Sequence, residues 1–214
     1  MSTRQFTWWA LGAWFVAVFA IGAAGGFVTS PDVPPLPILA GVLIPLGGFA
    51  AAYSGSSAFR ALVLSADIRL LTSVQAWRAG GLGFLALYAH GVLPGLFAWP
   101  AGLGDIAIGL SAPWMAAALA RDPGFAGTYR FAVWNALGIL DLVVAVSLGA
   151  ASSGIIPGLT PVLTSPMAQL PLVLIPAFFV PLFVMLHLAA FLQRGVPERA
   201  TRHGGLGASR TAPV

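Results

Sequence analysis

The sequence contains no cysteine and no lysine, and its one glutamate is Glu198. Without cysteine there is no disulfide, no thiol nucleophile and no thiolate metal site. Charge of either sign is scarce. Only 7% of residues are charged, against about 25% in soluble domains. A soluble chain of 214 residues could not cover its surface with so few. Hydrocarbon as solvent removes that requirement. Signature patterns for a zinc protease, a serine hydrolase or a phosphate loop are also missing, so no catalytic residue, metal or cofactor is expected.

What is present is apolar: 58% of the residues are hydrophobic, with 26 glycines and 17 prolines. Both are tolerated better in transmembrane helices than in soluble ones. Apolar runs cover about 6–28, 36–56, 77–96, 99–119, 131–151 and 170–192. Each is about the length that crosses a bilayer. The first is long for a signal peptide and is expected to stay as a span. Between the second and third, residues 58–75 carry Arg60, Asp67 and Arg69 among leucines at helical spacing. That pattern predicts an amphipathic helix in the interface. Pro45, Pro113, Pro171, Pro176 and Pro181 lie within runs and are expected to bend them. Residues 194–214 are polar and read as a disordered tail. The expected fold is an all-α integral membrane bundle of six transmembrane helices within residues 1–193.

The arginines orient this bundle. The net charge of +4 does not indicate a nucleic-acid partner, because the basic residues form no patch. They punctuate the spans. Arg4 precedes the first; Arg60, Arg69 and Arg78 lie between the second and third; Arg121 and Arg130 between the fourth and fifth; Arg194 follows the sixth. With six spans, every arginine falls on one side. The positive-inside rule makes that side cytoplasmic, with both termini there. Arg60, Arg78, Arg121, Arg130 and Arg194 are thus read as topology anchors.

Polar groups inside the runs are costly, about 2.5–3.5 kcal/mol for a central Asp on insertion scales. His90, Asp105, Asn135, Asp141 and His187 are the candidates. His90 and Asp105 each lie six residues from the uncharged turn joining spans three and four. That puts both about 9 Å deep, within reach of each other. Such a pair would bind a proton or cation; the alternative is an Asp capping the fourth span. Asp141 lies eleven residues beyond Arg130, near mid-span. At that depth it needs a donor on another helix, either as a functional acid or as packing glue. Asn135 and His187 are expected at similar depth on spans five and six. Asp105 in the outer third and Asp141 at the centre are not expected to share a site. His90 and His187 fall toward opposite faces, which argues against one haem between them.

Two segments carry a resemblance: residues 91–105, ending Trp99-Pro-Ala-Gly-Leu-Gly-Asp105, and 134–146, Trp134-Asn-Ala-Leu-Gly-Ile-Leu-Asp-Leu-Val-Val-Ala-Val146. Together they resemble uncharacterised polytopic membrane proteins of bacteria. The resemblance implies a multi-pass protein of the bacterial inner membrane, with no assigned activity. The leading functional expectation is passage or binding of a small solute or proton at the embedded acids. The second is a non-catalytic membrane subunit or sensor. A haem or redox protein is the third. Expected partners are the lipid bilayer and a second copy or another membrane subunit.

Overall fold

The computed structural model of the chain describes residues 2–195, so the expected tail beyond them, 196–214, lies outside the described residues. Among the described residues every regular element is helical. The first helix, α1 (Thr3–Ala23), is opened by a capping box between Ser2 and Gln5. After a proline-rich turn comes α2 (Leu36–Gly55). Two short helices follow, α3 (Ser57–Leu64) and α4 (Ile68–Val74). A 3₁₀ stretch, Gln75–Gly81, runs directly into α5 (Leu82–Ala89). Then come α6 (Gly95–Arg121), α7 (Tyr129–Ala150) and α8 (Val180–Leu192). Single π-helical turns at Ala151–Ile155 and Ile175–Phe179 flank the long connection between α7 and α8.

Among the described residues, five helical stretches are long and apolar enough to cross a membrane: Thr3–Ala23, Leu36–Gly55, Gly95–Arg121, Tyr129–Ile155 and Ile175–Leu192. Their outward faces carry large exposed apolar side chains, among them Trp9, Ile44, Trp114 and Leu140. A bilayer would cover such surface; water would not.

The sequence between residues 58 and 96 folds differently from expectation. The amphipathic stretch 58–75 is not one helix. Asp67 breaks it by capping α4, its carboxylate accepting from the backbone N–H of Arg69 at 2.9 Å and of Leu70. The run 77–96 is not one helix either. Helix continues without interruption from Ile68 through the 3₁₀ stretch to Ala89. In a 3₁₀ helix residues three apart eclipse one another. Gln75, Arg78 and Gly81 therefore form one row, and all three are buried. That row packs against α6, where a Cβ on Gly109 would strike the backbone at Ala79.

The hydrogen bonds at Asp67 hold its carboxyl below the usual value of 3.8, the Arg69 backbone N–H contributing most. A lowered folded pKa means the cap stabilises above the unfolded value and fails as pH falls through the folded one. Asp67→Ala is therefore expected to lower the melting temperature slightly at pH 7 and to leave it unchanged near pH 2. Equal effects at both values would contradict the cap.

Among the described residues, four apolar clusters fill the interior. One packs α1 against residues 168–178. A second gathers Phe84, Leu93, Phe97 and Met167 at one end of the bundle. A third gathers Ile108, Leu119, Phe131 and Trp134 at the other. The fourth joins Val42, Leu142, Val180 and Val184. Between the second and third, on α6 and α7, lies the polar group described next.

Candidate functional site

Arg78 is the centre of the site. Its side chain has no solvent exposure. Burying an unpaired guanidinium would be prohibitive, and the surrounding helices supply partners in three directions. Nε donates to Asp105 Oδ1 of α6 at 2.7 Å. Nη2 donates to Asp141 Oδ2 of α7. Nη1 donates to the backbone carbonyl of Gly138 at 3.1 Å and meets His187 Nε2 of α8 at 3.2 Å.

The network continues through His187. A guanidinium can only donate, so Nε2 of the imidazole accepts and Nδ1 carries the hydrogen. Nδ1 then donates to Asn135 Oδ1 at 3.0 Å. Asn135 Nδ2 donates to the carbonyl of Phe131 at 2.9 Å. Asn135 and His187 are both essentially unexposed. Trp134 packs edge-on against the imidazole, ring centroids 5.1 Å apart, and donates to Ser111 Oγ. The two carboxylates are the least enclosed members, with side-chain exposures of 16% for Asp105 and 14% for Asp141.

Glycines make this convergence sterically feasible. A Cβ on Gly138 would run into the His187 imidazole, and one on Gly104 into the Asp141 carboxylate. Ala, Ser or any larger residue at either position would displace a member of the network.

The structure brings Asp105, Asn135, Asp141 and His187 into one connected group. The expected contact between Asn135 and His187 is present. Other expectations are corrected. Asp105 and Asp141 do share a partner, because helices crossing in opposite directions place them at one level on Arg78. Asp105 neither caps α6 nor pairs with His90; it lies ten residues inside the helix, and His90 sits exposed at the end of α5. Arg78 is not an exposed anchor at the mouth of a span. Among the other arginines, Arg60 donates to the carbonyls of Tyr53 and Ser54. Arg121 and Arg130 are exposed at the α6–α7 connection, and Arg194 lies over the Phe191 ring.

One signal for Arg78 was available in the sequence. Two acids embedded in apolar runs require a cation, and Arg78 opens one of those runs. The guanidinium occupies the point on which the carboxylates and imidazole converge. Among the described residues, no group of three or more His, Asp or Glu is arranged to hold a metal ion.

A cavity of about 80 Å³ lies beyond the site, walled by the start of α2, the end of α7 and residues 164–168 and 175–180. Its lining is almost wholly apolar and includes Phe84, Phe97 and Ala145.

The family model for a domain of unknown function, DUF8737, matches residues 34–193. That is about three quarters of the chain, and the chain belongs to this family. All members of the Arg78 network lie inside the matched stretch, and α1 lies before it. No curated protein and no solved structure matches the chain.

Proposed function

For this member of the DUF8737 family we propose a multi-pass protein of the bacterial inner membrane whose arginine-centred network binds and passes a proton within the bilayer. The sixth crossing in this reading is the broken segment 68–89. Its 15 α-helical and seven 3₁₀ residues have a contour of about 36 Å, enough for a hydrocarbon core of about 30 Å. Arg78 then lies near the middle of the bilayer. Removing it from the set of anchors leaves the orientation unchanged. Arg4, Arg60, Arg69, Arg121, Arg130 and Arg194 still fall on one side, which supports cytoplasmic termini. Prolines inside α2 and α6 support bent spans. The surrounding bilayer is the partner this reading requires, and a second copy of the chain is a natural addition for so small a carrier.

The carrying observation is the charge count. Arg78 supplies one positive charge; Asp105 and Asp141 supply two negative ones; His187 is a neutral acceptor. One negative charge is unmatched. In hydrocarbon that costs several kcal/mol, so the group takes up a proton or another monovalent cation. A network that exchanges its third charge is a transport site.

The test is proton flux in proteoliposomes under an imposed potential. Wild-type protein is expected to move protons, and Asp141→Asn to reduce the flux at least tenfold while the melting temperature stays close to that of the wild type. Equal flux in both, or none in the wild type, defeats the reading. A second reading, a structural tie in a membrane subunit, draws on the four acceptors that the donors of Arg78 meet. Under it, Asp141→Asn alters stability and no flux exists to lose.

A further inference from the structure

Three elements run from the cavity to the arginine network, one helical turn long on α7 and two steps long on α6 and the broken segment. On α7, Ala145 lines the cavity and Asp141 lies four residues earlier, about 6 Å along the axis. On α6, Phe97 lines the cavity, and Ala101 and Asp105 follow at successive steps of four. On the broken segment, Phe84 lines the cavity, and Gly81 and Arg78 precede it at steps of three. On α6 and the broken segment the residues between the cavity and the charges are Ala101 and Gly81, both small, and on α8 Val184 stands between Val180 of the cavity wall and His187.

The chemistry at the two ends is complementary in a specific way. The cavity end is apolar and aromatic, with Phe84 and Phe97 edge-to-face at a centroid distance of 5.3 Å. Ser153 also lines it, and its buried Oγ has no hydrogen-bond partner. The other end carries one unmatched negative charge. An inorganic cation has no use for the aromatic wall, and an anion is repelled by the charge. A neutral apolar molecule leaves the charge unanswered.

We propose that the cavity and the Asp105–Asp141 pair form one binding site for a small amphipathic organic cation, an amine whose apolar body fills the cavity and whose ammonium meets the carboxylates. Aromatic faces suit such a body and its charge. By register Asp141 is the nearer carboxylate, one turn from Ala145, and the Asp105 side chain tilts toward the cavity because the N-terminal end of α6 lines it. Amine and proton neutralise the same charge, so binding one expels the other. The charged and titratable groups facing the carboxylates are Arg78 from the 3₁₀ stretch and His187 from α8. Neither can supply the missing positive charge, since Arg78 is already counted and His187 accepts from it. This inference rests on the proposed reading of the network as a site with one exchangeable charge.

The test uses full-length protein in detergent, with phenethylamine and its neutral isostere 2-phenylethanol as probes, followed by titration calorimetry. Two buffers of different ionisation enthalpy count the protons released. Saturable binding of the amine is expected, with one proton released per ligand. Affinity should rise about tenfold per pH unit while the network is protonated. The alcohol should bind at least tenfold more weakly. Asp105→Asn is expected to weaken amine binding and remove its pH dependence. Ala145→Leu should weaken it by filling the end of the cavity nearest Asp141. Ile38→Trp, on a different helix of the cavity wall, should do the same if Ala145→Leu fails to fold.

Equal affinity for the alcohol, no proton release, no amine binding, or full binding by both cavity variants would overturn the proposal. Proton flux without amine binding would leave the proposed function standing and remove this inference. Amine binding with proton release but no flux would keep the site and remove the transport reading.

Discussion

Arg78→Met is expected to destabilise the protein by about 3–5 kcal/mol, the usual consequence of removing one member of a buried ion pair. The loss is large because the substitution orphans more than a salt bridge. Asp105 and Asp141 lose their shared donor, the Gly138 carbonyl loses its side-chain partner, and His187 Nε2 loses the group that fixes its tautomer. Methionine fills similar space, so a cavity is a minor part of the effect. Two carboxylates are left side by side without a cation, and each opposes ionisation of the other. The measurement is thermal unfolding in detergent, followed by tryptophan fluorescence, to which Trp134 against His187 contributes. A variant that also carries Asp105→Asn and Asp141→Asn removes the stranded charge and should recover at least half of the loss. Failure of that rescue would mean that Arg78 stabilises by packing alone. Arg78→Lys is expected to behave like Arg78→Met, because one ammonium cannot reach acceptors on three helices in the directions a guanidinium does.

Gly138→Ala is expected to cost about 1–3 kcal/mol, the range for forcing an extra methyl into a packed interior. This position has little room to relax. The new Cβ would overlap the ring of His187, which is held on both nitrogens by Arg78 and Asn135. The ring cannot rotate away without breaking one of those contacts. His187→Ala should therefore be less harmful in the Gly138→Ala background than in the wild type, and the coupling is measurable by a double-mutant cycle. Gly104→Ala should show the same coupling with Asp141→Ala, since its Cβ would meet that carboxylate. Additive effects in both cycles would show that these glycines serve helix packing generally and not the network.

The apolar runs made much of the fold legible. The helices α1, α2, α6 and α7 lie close to the runs read from the sequence, because lipid-facing helices need only length and hydrophobicity. The stretch from 58 to 96 departs from the expectation for two physical reasons. Asp67 caps α4 and breaks the amphipathic stretch, and an arginine in an apolar segment marks the edge of a span only when its charge must reach water. Here acids on α6 and α7 satisfy Arg78 internally, and single-segment patterning carries no trace of a partner 27 or 63 residues away. The last run also differs. Residues 170–173 form turns, and a π-turn at Ile175–Phe179 precedes α8, where Pro171, Pro176 and Pro181 each remove a backbone donor. Within the site, the candidates on single continuous helices came together as depth counting suggested for Asn135 and His187. His90 did not, because the chain leaves the helix at Ala89.

The account depends most on Arg78 lying deep in hydrocarbon and not at the membrane surface. The chain has no cysteine, so Trp77→Cys gives a single labelling position beside Arg78, at a residue 81% exposed on the outside of the bundle. A nitroxide attached there, in protein reconstituted into bilayers, reports depth by its collisions with oxygen and with a water-soluble nickel chelate. Strong relaxation by oxygen and little by nickel is the predicted result. Strong relaxation by nickel would put residue 77 at the headgroups, return Arg78 to the edge of a span, and contradict the account.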